Sequence, residues 1–182
     1  MDEDISIINS NTRNEKIKKF FLNNKNKLIL IVVILLIVLI GLYSFDKYKI
    51  NQKLETSNKF NLTTLEYSEK TKKITVKKLV EIINAQDPTY SPLSLYFIID
   101  NKLINDDDQI NTYFDLLIDK TSLDKEIKNL VIYKKALFNA DKAKESNLLN
   151  ILNPLINSES VWKSHALYLI AEYFYSKKEM KK

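Results

Sequence analysis

The chain has 182 residues, 45% of them apolar and 28% charged, with a net charge of +5, no cysteine, one histidine and one glycine. That composition belongs to a chain that folds, and it excludes disulfides, thiolate catalysis, cysteine-ligated zinc or iron–sulfur centres, multi-histidine zinc sites and the glycine-rich loops that cradle phosphates or dinucleotides. The basic balance does not point to nucleic acid, because after Phe45 there are 22 lysines against 19 acidic residues, a +3 spread evenly along the sequence.

Residues 1–27 form a polar leader that begins acidic and turns into a basic amphipathic segment. It carries Arg13, Lys16, Lys18, Lys19, Lys25 and Lys27. Leu28 to Phe45 then runs eighteen residues without a charge, LILIVVILLIVLIGLYSF, between Lys27 and Asp46. As a helix this stretch reaches about 27 Å, close to the ~30 Å hydrocarbon core of a bilayer. Phe20, Phe21, Tyr43, Phe45 and Tyr48 flank it where interfacial aromatics sit. A secretory signal would have a shorter apolar region and a small-x-small cleavage site, which Gly41 to Phe45 does not offer, so the expectation is an uncleaved single-pass anchor. Four lysines follow the span over a similar distance, Lys47, Lys49, Lys53 and Lys59, against six basic residues before it. The bias places the N-terminus in the cytoplasm and everything after Asp46 on the far side.

The 137 residues after Phe45 suffice for one domain with a modest core. No glycine follows Gly41 and the only prolines are Pro88, Pro92 and Pro154, so hairpin signals are few and the spacing predicts an all-α domain. A first helix is expected from about Lys53 to Lys70. Three stripes with the i, i+3, i+4, i+7 pattern follow: Val76, Leu79, Val80, Ile83; Ile110, Tyr113, Phe114, Leu117; and Leu148, Ile151, Leu152, Leu155. Between them, Ser91–Leu103 and Leu123–Ala140 carry apolar residues over wide arcs (Leu93, Tyr96, Phe97, Ile99; Ile127, Leu130, Val131, Tyr133, Leu137, Phe138), as inner helices of hairpins would. A last helix is expected from about Glu159 to Lys177. The second stripe lies 34 residues after the first and the third 38 after the second, a recurrence that predicts tetratricopeptide-like helical hairpins stacked into a short solenoid. A generic antiparallel bundle is the alternative.

Asp106–Asp108, Ser122 with Asp124, and Ser158 with Ser160 stand where helix N-caps are needed, which accounts for the triple aspartate without a metal. Pro154, inside the third stripe, is expected to kink or restart its helix. His165 falls beside the apolar arc of the Trp162 helix and reads as a packed or interface histidine. The carboxylates are scattered among lysines at solvent-facing spacing, so no catalytic pair stands out and no cofactor is expected.

Three stretches together resemble a known family. The leader MDEDISIINSNTRNEKIKKFFLNNKNK running into a single anchor, the helical repeats, and the segment VWKSHALYLIAEYFYSKKEMKK are similar to the YfgM-like ancillary subunits of the SecYEG translocon. In that family another helix usually follows the one beginning near Trp162, and the repeat consensus is clearer than here.

The resemblance implies a non-enzymatic helper in the bacterial inner membrane, with its repeat domain in the periplasm. It would sit beside SecYEG and engage PpiD-like chaperones or emerging polypeptides. Tyr96, Trp162, His165, Tyr168 and Phe174 are the candidate partner-binding residues. An adaptor for envelope or outer-membrane assembly is one alternative. Another is a self-associating structural protein, a homo-oligomer paired through its terminal helix.

Overall fold

The computed structural model describes residues 2–179, with side chains from Arg13 to Lys178. Met1 and Met180–Lys182, the end of the segment that begins at Val161, lie outside the described residues. Among the described residues there are seven α-helices, one 3-10 turn and no strand. They are α1 (Asp2–Leu65), α2 (Lys72–Asn84), α3 (Tyr90–Asp100), α4 (Asp107–Lys120), α5 (Lys125–Asn139), α6 (Glu145–Ile156) and α7 (Lys163–Glu179). The chain divides into two compact units, Met1–Gln52 and Lys53–Lys182.

The first unit is helical throughout its described length. From Ile29 to Phe45 every side chain is exposed, and α1 is long and apolar enough to cross a membrane. Helix continues past Phe45 because no glycine or proline interrupts the sequence between Leu42 and Leu65. The expected separate helix from Lys53 to Lys70 is therefore the end of α1, closed at Leu65 and followed by a 3-10 turn at Glu69–Thr71.

In the second unit each helix from α2 onward packs against its successor, with additional contacts between α2 and α4 and between α5 and α7. Two cores result. Leu79, Ile83, Leu95, Ile98, Ile110, Phe114, Leu117 and Val131 form one, and Ile132, Ala136, Leu148, Leu152, Leu155, Ala166, Leu169 and Tyr173 form the other. Ile118 packs against both. The last turns of α1 add Phe60 against Tyr90, and Ser57, whose hydroxyl accepts from the Tyr90 hydroxyl at 2.7 Å.

The second and third stripes are buried nearly as expected, with Ile151 half-buried. The first is not. On α2 the buried residues are Thr75, Leu79, Ile82 and Ile83, while Val76 and Val80 are half-buried. α3 lies along the Ile82 side, where the Ser91 hydroxyl donates to the Ile82 carbonyl at 2.7 Å. On α3 the fully enclosed apolar residues are Leu95 and Ile98, and Leu93 is exposed.

Asp106 caps α4 as expected, its carboxylate accepting from the Gln109 backbone at 3.0 Å. Asp124 stands at the N-cap of α5 without a side-chain cap bond. α7 begins at Lys163 rather than near Glu159, after a turn in which Ser160 Oγ accepts from the Trp162 backbone at 3.2 Å. The restart expected at Pro154 does not occur. α6 runs through that residue and ends two positions later, because a proline in the last turn forfeits only one backbone bond near an end that frays anyway.

Two helices end without the glycine that such ends favour. Gln86, after α2, has φ 56°, and Lys102, after α3, has φ 49°. At α3 the Lys102 amide donates to Ile99 at 3.1 Å and the Leu103 amide to Ile98 at 2.9 Å, the paired bonds of a Schellman end, with Leu103 buried beneath.

Candidate protein-docking surface

The five candidate residues do not form one site. Tyr96 on α3 is half-buried between α3 and α5, with the Lys134 ammonium 5.6 Å from its ring centre. Its hydroxyl is buried without a hydrogen-bond partner, and that desolvation pushes its pKa far above the usual tyrosine value.

Trp162 is half-buried. Its indole stacks on Tyr133 of α5 at 5.8 Å with the rings 22° apart, and His165 tilts against it at 5.2 Å. His165 itself is exposed and also meets the Tyr133 edge, so it belongs to a three-ring cluster that ties the start of α7 to α5. Tyr168 and Phe174 are exposed on different flanks of α7, about 120° apart at about 100° per residue. Phe174 packs edge-on to Tyr173, while Tyr168 turns toward α5.

On that side α5 and α7 leave an open groove lined by Leu137, Ala140, Tyr168, Leu169, Tyr173 and Tyr175, with Asp141, Glu172 and Lys177 at its edge. The carboxylate of Glu172, hydrogen-bonded to Tyr168, raises that phenol's pKa. Leu137 also lines a depression with Tyr96, Phe114 and Lys134, and Tyr96 lines a further one with Leu93, Ile127 and Leu130. These hollows follow one another from α3 across α5 to α7.

In the second unit large apolar side chains are exposed on the end of α1, at Leu54, Leu62 and Leu65, and along the helices that line these hollows. Leu93 lies on α3, Ile127 and Leu137 on α5, and Leu167, Tyr168, Phe174 and Tyr175 on α7, with Val161 just before it. Ile74 of α2 is exposed as well, while α4 and α6 expose no large apolar side chain. Leu137, expected on the wide apolar arc of α5, and Tyr175 are not among the five candidate partner-binding residues. Tyr175 follows Tyr168 by seven positions, a spacing that puts both on one flank.

No group of three or more His, Cys, Asp or Glu side chains that could hold a metal ion occurs among the described residues. Of the three successive aspartates, Asp106 caps α4 and Asp107 pairs with Lys142. What the surface offers is apolar contact with a few charges at its margin, a chemistry of adhesion. No protein-family model, curated protein or solved structure matches the chain.

Proposed function

We propose that this protein is a membrane-anchored protein–protein interaction module, a non-enzymatic accessory of the SecYEG translocon that links it to PpiD-like chaperones or to emerging polypeptides. α1 crosses a bacterial inner membrane once, with the leader in the cytoplasm and the helical hairpins in the periplasm. In this reading α2–α3, α4–α5 and α6–α7 are three tetratricopeptide-like hairpins, in keeping with the recurrence of their apolar stripes. The observation that carries the proposal is the open groove between α5 and α7, flanked by the exposed Leu137, Tyr168 and Tyr175, in a chain that also bears a span-length apolar helix. Tethering confines such a surface to the membrane plane, which raises the effective concentration of any partner held there. The link to SecYEG rests on the resemblance of the leader and of the Trp162 segment.

A photo-crosslinker placed at Leu137 or Tyr168 in native membranes tests this. Adducts with translocon or chaperone subunits are expected. Adducts only with envelope-assembly factors, or only with further copies of the chain, refute the translocon reading in favour of the adaptor or the self-associating protein. The topology has its own check. Protease added to spheroplasts should degrade the helical domain without lysis, and N-terminal sequencing should find the leader still attached.

A further inference from the structure

The two ends of the apolar stretch differ in charge more than a count of basic residues suggests. Within the ten residues before Leu28 stand Lys18, Lys19, Lys25 and Lys27 with no carboxylate, a net +4. Within the ten after Phe45, Lys47, Lys49 and Lys53 are opposed by Asp46 and Glu55, a net +1. All four N-terminal lysines are exposed on α1.

Their placement suits a lipid surface. Lys25 and Lys27 fall within about 5 Å of Leu28 along the helix and Lys18 about 15 Å away, a reach that covers a headgroup layer. Around the helix, Lys18 and Lys25 lie on one flank and Lys19 and Lys27 on the other, with Ile17, Phe20 and Phe21 between them. Lys25 also borders an apolar furrow lined by Phe21, Leu28, Ile29 and Val32, where an acyl chain can lie while its headgroup meets the ammonium. The nearest carboxylate on this side, Glu15, lies one helical turn from Lys18 and Lys19 but about 15 Å along the helix from Lys25, beyond the ~8 Å screening length at physiological salt, so Lys25 and Lys27 carry the uncompensated charge nearest the apolar stretch.

We propose that this basic collar selects anionic phospholipids, so that the anchor carries an annulus enriched in negatively charged headgroups at its N-terminal end only. The inference rests on α1 crossing the membrane. Charge complementarity is its source, since each lysine near an anionic surface favours association by about fivefold at low screening.

The chain has no cysteine, so Asn24→Cys in the full-length protein gives one labelling point within the collar. Energy transfer from that label to acyl-labelled phosphatidylglycerol is compared with transfer to acyl-labelled phosphatidylcholine in vesicles containing both. The expected result is an enrichment of phosphatidylglycerol of about fivefold, reduced by salt. It should be lost in Lys18→Gln/Lys19→Gln/Lys25→Gln/Lys27→Gln and retained in Lys47→Gln/Lys49→Gln/Lys53→Gln. Equal transfer to both lipids, or an enrichment that survives the four N-terminal substitutions, overturns the proposal while leaving the anchor intact. Transfer to neither lipid overturns the anchor and the collar together.

Discussion

The indole of Trp162 and the phenol ring of Tyr133 stack at 5.8 Å with an interplanar angle of 22°, joining the entry of α7 to the middle of α5 across 29 positions of sequence. Because Trp162 is only half-buried, Trp162→Ala should cost less than truncation of an enclosed aromatic, about 2 kcal/mol. A double-mutant cycle with Tyr133→Ala, read by circular dichroism during chemical unfolding of the whole protein, should give a coupling of about 0.5–1.5 kcal/mol. Strict additivity would mean that the stack holds no energy beyond the area that it covers.

Phe114 and Leu152 are fully enclosed, and on α2 the corresponding place belongs to Leu79 rather than Val80. Leu79→Ala, Phe114→Ala and Leu152→Ala should each destabilise the helical unit by about 2–5 kcal/mol. Val80→Ala should cost less than any of them. A Val80→Ala loss equal to that of Leu79→Ala would contradict the rotation of α2 described above.

Lys102 occupies a left-handed position that glycine adopts without strain. Lys102→Gly should therefore stabilise the protein by about 0.5–1 kcal/mol, the relief at the helix end exceeding the added freedom of the unfolded chain. Lys102→Ala removes the same side chain without relieving the backbone, so a gain there as well would assign the effect to charge.

The Lys59 ammonium, hydrogen-bonded to the Glu81 carboxylate at 2.7 Å, lowers the pKa of that carboxyl. A depressed carboxylate contributes stability that is present above its unfolded pKa and disappears as the pH falls through its folded value. The side-chain carboxyl resonance of Glu81 should thus titrate below the ordinary glutamate range and return to it in Lys59→Gln. The accompanying stability change should be small, since both groups are solvent-exposed.

Tyr168 is 63% exposed and Leu137 46%, on facing sides of the α5–α7 groove. If that groove is the docking surface, Tyr168→Asp and Leu137→Asp should each weaken partner capture from membranes at least tenfold while the melting temperature changes little. The reverse pattern, a steep loss of stability with capture by the folded fraction intact, would identify these residues as core.

Much of this architecture is legible in the amino-acid order because it depends on local chemistry. An uncharged run such as Leu28–Phe45 is long and apolar enough to cross a membrane whatever surrounds it, and the Ile110 and Leu148 stripes fix the buried faces of α4 and α6 because each has a polar opposite side. Asp106 marks the start of its helix by bonding a backbone group three residues away. α3 and α5 differ, since their apolar residues cover so wide an arc that periodicity gives no phase. Only packing decides that Leu95 and Ile98 go inside while Leu93 stays out, and that Ile132 and Ala136 are enclosed while Ile127 and Leu137 face solvent. The rotation of α2 toward Ile82, the Trp162–Tyr133 stack and the succession of hollows from Leu93 to Tyr175 likewise belong to tertiary structure. Each depends on where a second helix lies, and the competing arrangements differ in which apolar surface is covered rather than in any signal that a single segment carries.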